Sequence, residues 1–248
     1  MLEAKGPHFP NPLRHPDDLA RLKTDVDVKV ELGYVFEAIT LTRHKLEGKV
    51  PLFGFAGGPW TLMAYMIEGG GSKTFSKGEG SPHTPFSCTR VSSCSTPPFS
   101  AAKAWLYLHK EKSKQLLQLL ADVTANYLIG QVAAGAQILQ LFESWAGELG
   151  KAQFDEFCLP YAIQILNRVK SGVQALGLDP VPMVIFAKGA HYALESLASS
   201  GFDVVGLDWT IEPREARLQT DDKVTLQGNL DPCVLYGPPE VIKNEVQK

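Results

Sequence analysis

The chain has 248 residues, a formal net charge of −3 and a 44% share of hydrophobic residues, ordinary values for a folded protein. There is too much apolar surface for wholesale disorder and too little net charge for a general nucleic-acid surface. No run reaches the ~18 uncharged apolar residues of a membrane span, and Met1–Pro7 lacks the apolar segment of a secretory signal, so a cytoplasmic location is expected.

In chain order, a helix is predicted from about Glu31 to Leu46. A first strand follows over Pro51–Phe55, then a tight Gly57-Gly58-Pro59 turn. Pro59 suits the first position of a helix that carries Tyr65 about two turns in. Gly78–Ala101 is rich in Ser, Thr, Pro and Gly, has no apolar period and reads as a disordered insert. Its ends can be back-translated into splice-like signals, so a retained intron is one expectation for it. Leu116, Leu120, Val123 and Tyr127 recur at helical spacing, and a second strand spans Ile138–Phe142. Phe154, Phe157, Tyr161, Ile165, Val169 and Val173 mark one long helix before a third strand over Val181–Phe186. A short helix runs from His191 to Ser200, with Gly201 as its stop. The fourth strand is Asp203–Asp208, the fifth Lys223–Asn229, and a last helix covers Pro239–Val246.

These strand segments are near-continuous apolar runs, as in parallel strands covered on both faces. Alternation of strand and helix implies right-handed crossovers and a parallel sheet or barrel. No GxGxxG follows the first strand, which disfavours a dinucleotide-binding domain. The four cysteines, at 88, 94, 158 and 233, form no CxxC pair, so neither a zinc site nor a redox motif is expected.

In a parallel barrel, side chains just past the C-terminal strand ends converge on one mouth. Here they bring hydroxyls, aromatics and carboxylates together: Tyr65, Ser144, Lys188, Asp208, Trp209 and Asp231. Taken singly, most have a structural role. Asp208 and Asp231 suit loop fixing or helix capping, His191 suits packing near a helix start, and the tryptophans suit packing around the mouth. Gly69-Gly70-Gly71-Ser72-Lys73-Thr74 lacks the glycine that a phosphate loop needs before lysine, and reads as the end of a helix.

Phe53-Gly54-Phe55-Ala56-Gly57-Gly58-Pro59-Trp60-Thr61-Leu62-Met63, Leu139–Ser144, Ile185–Lys188, Val205–Trp209 and Leu226–Pro232 together resemble the uroporphyrinogen decarboxylase family. The likeness covers the whole chain except the insert. It implies one domain over residues 1–248 of α/β class, a (β/α)₈ TIM barrel that pairs into a homodimer. It also implies a cofactor-free and metal-free carboxy-lyase of haem biosynthesis that turns the four acetate arms of uroporphyrinogen into methyls. Carried over by motif, the substrate-binding residues are Tyr65 and Ser144 as hydroxyl donors and Phe55 and Phe142 as apolar wall.

The family's arginine, aspartate and histidine motifs do not occur among these residues, so no catalytic residue is assigned. The strands found correspond to barrel strands three to seven, an incomplete barrel, and the chain alone is expected to turn over no uroporphyrinogen. Two alternatives remain: a zinc- or corrinoid-type barrel methyltransferase, and a non-enzymatic truncated isoform. No nucleic-acid or membrane partner is expected.

Overall fold

The computed structural model describes residues 8–70 and 99–247. Five strands, β1 (Phe53–Gly57), β2 (Ile138–Glu143), β3 (Met183–Ala187), β4 (Val204–Gly206) and β5 (Thr225–Gln227), form one sheet in the order of the sequence. Every neighbouring pair is parallel. The crossovers carry α2 (Pro59–Glu68), α3 (Ser100–Leu108), α4 (Lys110–Ala133), α5 (Lys151–Phe157), α6 (Leu159–Ala175), α7 (Leu194–Ala198) and α8 (Pro213–Thr220). α1 (Val28–Leu46) precedes the sheet and α9 (Pro239–Val246) follows it.

Strand order that never reverses, combined with right-handed crossovers, puts every helix on the same face. A doubly wound sheet would reverse its order at a switch point. The register bears this out. Leu139, Leu141, Ile185 and Val205 are completely buried, and Met183 nearly so, all within the core that α2, α4 and α6 build. The alternate positions Phe53, Phe55, Ile138, Gln140, Phe142 and Phe186 point to the other face, where Phe55 remains 62% exposed. β1 and β5 are the edges. Among the described residues the arrangement is a sector of a barrel, with its inner face open.

Every expected strand exists, with shifted limits. β4 and β5 are shorter than their apolar runs: Leu207 N still donates to Gln227 O at 2.7 Å, but Asp208 turns aside to accept from Gly189 N at 2.5 Å. α1 starts three residues before the expected Glu31 because Asp27 caps it, accepting from the Lys29 and Val30 amides. The long helix expected through Phe154–Val173 is two. It breaks at Cys158 (φ −122°), two residues before Pro160, which cannot donate to the preceding turn.

α4 buries Leu116, Leu117, Ala121, Ala125 and Leu128, while the expected Leu120, Val123 and Tyr127 are only half-buried. The helix meets the sheet with a face rotated slightly from the predicted stripe. Residues 78–98 of the expected insert lie outside the described residues. Its expected end at Ala101 needs correction: Phe99 is 2% exposed, and Ser100 and Ala101 already begin α3. Gly69, at φ +89°, closes α2, as expected of a helix-ending glycine. Among the described residues no helix is long and apolar enough to cross a membrane.

Candidate functional site at the C-terminal strand ends

An aromatic row crosses the open face. Phe55 meets Phe142 edge-on with ring centroids 6.0 Å apart, and Phe142 meets Phe186 in the same way at 6.0 Å. Gly206 stands next in the row, where a Cβ would come within 2.8 Å of Phe186 Cδ2. The glycine leaves room for the ring, so three strands present a continuous aromatic surface. Phe55 and Phe142 were expected here. Phe186 was missed, although it occupies the same place before its strand end as Phe142 does.

Tyr65 and Ser144 stand above this surface. Ser144 is the first residue past β2 and is half-buried. Tyr65 is half-buried on α2, and its ring meets Trp145, the neighbour of Ser144, edge-on at 6.2 Å. Trp145 also packs against Phe99 at 4.2 Å, and its buried indole N–H has no hydrogen-bond partner among the described residues. Exposed Lys188, past β3, holds its ammonium 5.2 Å from the centre of the Trp209 ring.

One buried carboxylate organises this end of the sheet. Glu143 is 0% exposed and lies on the helix side of β2. Its oxygens accept from Trp60 N at 3.2 Å, Thr61 N at 2.9 Å and Thr61 Oγ1 at 2.7 Å. Burial pushes its carboxyl up to about 7, although the bonds from Thr61 and Trp60 pull the other way. The Cys158 thiol also hydrogen-bonds to it. Burial, and then the nearby carboxylate, push that thiol well above its usual range. Cys158 is therefore a poor nucleophile and a poor metal ligand. Glu143 was missed from the sequence, but a signal existed. Leu139, Leu141 and Glu143 alternate along one strand face, so a charge was bound to be buried.

Asp208 has the structural role expected for it. It accepts from Gly189 N, from Thr210 N at 2.9 Å and from Thr210 Oγ1 at 2.6 Å, and lies 3.2 Å from His191 Nε2. Burial raises its pKa, but bonds from Thr210 and Gly189, with the nearby His191, hold it below the usual carboxylate value. Asp231 caps the 3₁₀ turn Pro232–Tyr236 by accepting from Cys233 N at 2.8 Å. Among the described residues no three His, Cys, Asp or Glu side chains gather as metal ligands.

Sequential parallel strands, helices on one face and polar groups at the C-terminal strand ends define a protein of the (β/α)-barrel class. The solved structure of a methyltransferase from Methanosarcina mazei superposes with a TM-score of 0.70 over 96% of this chain and 60% of that one. At 19% identity that likeness concerns the fold alone. The family model described as uroporphyrinogen decarboxylase matches residues 1–79 and 80–248, and the chain belongs to that family. Uroporphyrinogen decarboxylases of Danio rerio and Homo sapiens are 56% and 51% identical to it over 248 residues, and that of Schizosaccharomyces pombe 50% over 244 residues. The chain spans 61% of the length of each of these relatives. Identity at this level does not favour the methyltransferase reading.

Proposed function

We propose that these residues form the substrate wall of a uroporphyrinogen decarboxylase. The observation that carries this reading is the Phe55–Phe142–Phe186 row, flanked by Tyr65 and Ser144 at the strand ends. A tetrapyrrole has a broad apolar body rimmed by carboxylates. The aromatic row suits the body. The hydroxyls of Tyr65 and Ser144 suit the rim, each donating to a carboxylate oxygen.

The proposed reaction needs no cofactor. Protonation of a pyrrole ring carbon makes the ring an electron sink. The bond between the acetate methylene and its carboxylate then breaks, its electron pair enters the ring, and CO₂ leaves. A second proton is taken up at the exocyclic methylene, which becomes the methyl, and the ring carbon releases the first proton, which restores the pyrrole. The wall residues orient the acetate arm and exclude water; proton delivery is assigned to none of them. The reading extends to one barrel-type domain, a cytoplasmic location and a homodimer, all carried by the family.

The test is anaerobic titration of the purified chain with uroporphyrinogen, followed by tryptophan fluorescence and paired with product analysis. Saturable binding, weakened about tenfold by Tyr65→Phe or Ser144→Ala, is expected from the loss of one charge-assisted hydrogen bond. No coproporphyrinogen is expected from this chain alone. Failure to bind, or equal binding by both variants, would overturn the assignment of the wall. Product formed by the pure chain would overturn the expectation of no turnover.

A further inference from the structure

The turn after β1 has no cap of its own. Gly58, the residue before α2, has no side chain, and Pro59 has no N–H. The next two amides, of Trp60 and Thr61, are capped from another strand by Glu143. The same turn is stitched to β2 twice more. Gly58 N donates to Phe142 O at 2.8 Å, and Trp60 Nε1 donates to Trp145 O at 2.9 Å. A Cβ on Gly58 would collide with the Glu143 carboxyl, so this glycine and this glutamate require each other. Glu143 O in turn accepts from Lys188 N at 3.2 Å, which brings the end of β3 into the same network.

We propose that Glu143 is the positioning residue that sets α2 against the end of β2, and so holds Tyr65 and Ser144 at a fixed mutual spacing for the substrate carboxylates. Its carboxyl lies on the helix side of the sheet, away from the open face, so it acts through these neighbours. Tyr65 rides on the helix whose first amides Glu143 caps, and Ser144 follows Glu143 in the chain. The Tyr65–Trp145 contact closes the loop between them. This inference rests on the substrate-wall reading for its purpose, but the lock itself can be read without ligand.

The test places 3-fluorotyrosine at position 65 and follows its ¹⁹F resonance in the ligand-free chain, beside uroporphyrinogen affinity. Glu143→Gln keeps an acceptor for Thr61 and should leave both near those of the parent. Glu143→Ala should shift or broaden the resonance and weaken binding about tenfold or more. Leu166→Ala, a core truncation on α6 away from the turn, should lower stability without moving the resonance. If Glu143→Ala does not fold, Thr61→Val removes the 2.7 Å hydroxyl bond and should give a smaller shift of the same sign. An unmoved resonance in Glu143→Ala, or an equal shift in Leu166→Ala, would overturn the lock. Absence of binding by the parent chain would remove the substrate-wall reading, and the fluorine readout would still decide on the lock.

Discussion

Glu143 and Asp208 are both buried, at 0% and 5% exposure, yet they respond to pH in opposite senses. Glu143 is raised from 4.5 to about 7, so the folded chain holds its proton more tightly than the unfolded one. Its contribution to stability is full below about pH 4.5, falls as pH rises, and is lost above about 7. That window is worth about 3 kcal/mol, and Glu143→Gln should flatten it in urea unfolding followed from pH 4.5 to 7.5. Asp208 is lowered from 3.8, so its contribution is present above that value and disappears as pH falls through its folded value. Asp208→Asn should cost about 2 kcal/mol at neutral pH, because it weakens the bonds from Gly189 and Thr210. Gly206 offers a steric counterpart. Gly206→Val places a side chain against Phe186 and should cost about 2 kcal/mol or more, measured by thermal unfolding.

At the scale of elements, the breaks in the helices follow from single residues. Pro160→Ala restores the amide whose absence breaks the helix at Cys158, and should let α5 and α6 run closer to one continuous helix. A gain in far-UV helical dichroism would agree with this, and an unchanged spectrum would contradict it. The strands were legible as near-continuous apolar runs, but the expected cover on both faces is not seen among the described residues: β1 and β2 alternate in burial, and their open-face positions include Phe53, Phe55 and Phe142, which keeps the runs apolar. Their ends were not legible, because Asp208 leaves the ladder to bind a residue nineteen positions earlier. α8 was missed because only Ala216 and Thr220 of its eight residues are buried, which gives no apolar stripe to detect. α3 was missed because the Ser- and Pro-rich segment before it hides its start, and Phe99 sits at φ +57° with no side-chain cap to announce it. Phe55, Phe142, Tyr65 and Ser144 could be chosen by motif. Their spatial order, and the role of Glu143 in setting it, depend on pairing between residues more than 80 positions apart.

For the molecule as a whole, the sheet is covered by helices on one face and edged by β1 and β5. The open face presents Phe53 at 39% and Phe55 at 62% exposure beside the edge of β1, which pairs with no further strand among the described residues. Exposed apolar parallel edges favour association. Sedimentation velocity should show concentration-dependent self-association of the purified chain, reduced by Phe55→Lys; a monomer at all concentrations would contradict this. Grooves also exist away from the strand ends, between α1 and α4 around Phe36 and Gly130, and beside β5 around Arg214 and Leu226. The tetrapyrrole is proposed to bind in neither. Hydrogen exchange with and without uroporphyrinogen therefore tests this placement most directly. Protection is expected at Phe55–Thr61 and Phe142–Trp145 and none at the α1–α4 groove. Protection confined to either groove, or none at the strand ends, would contradict it.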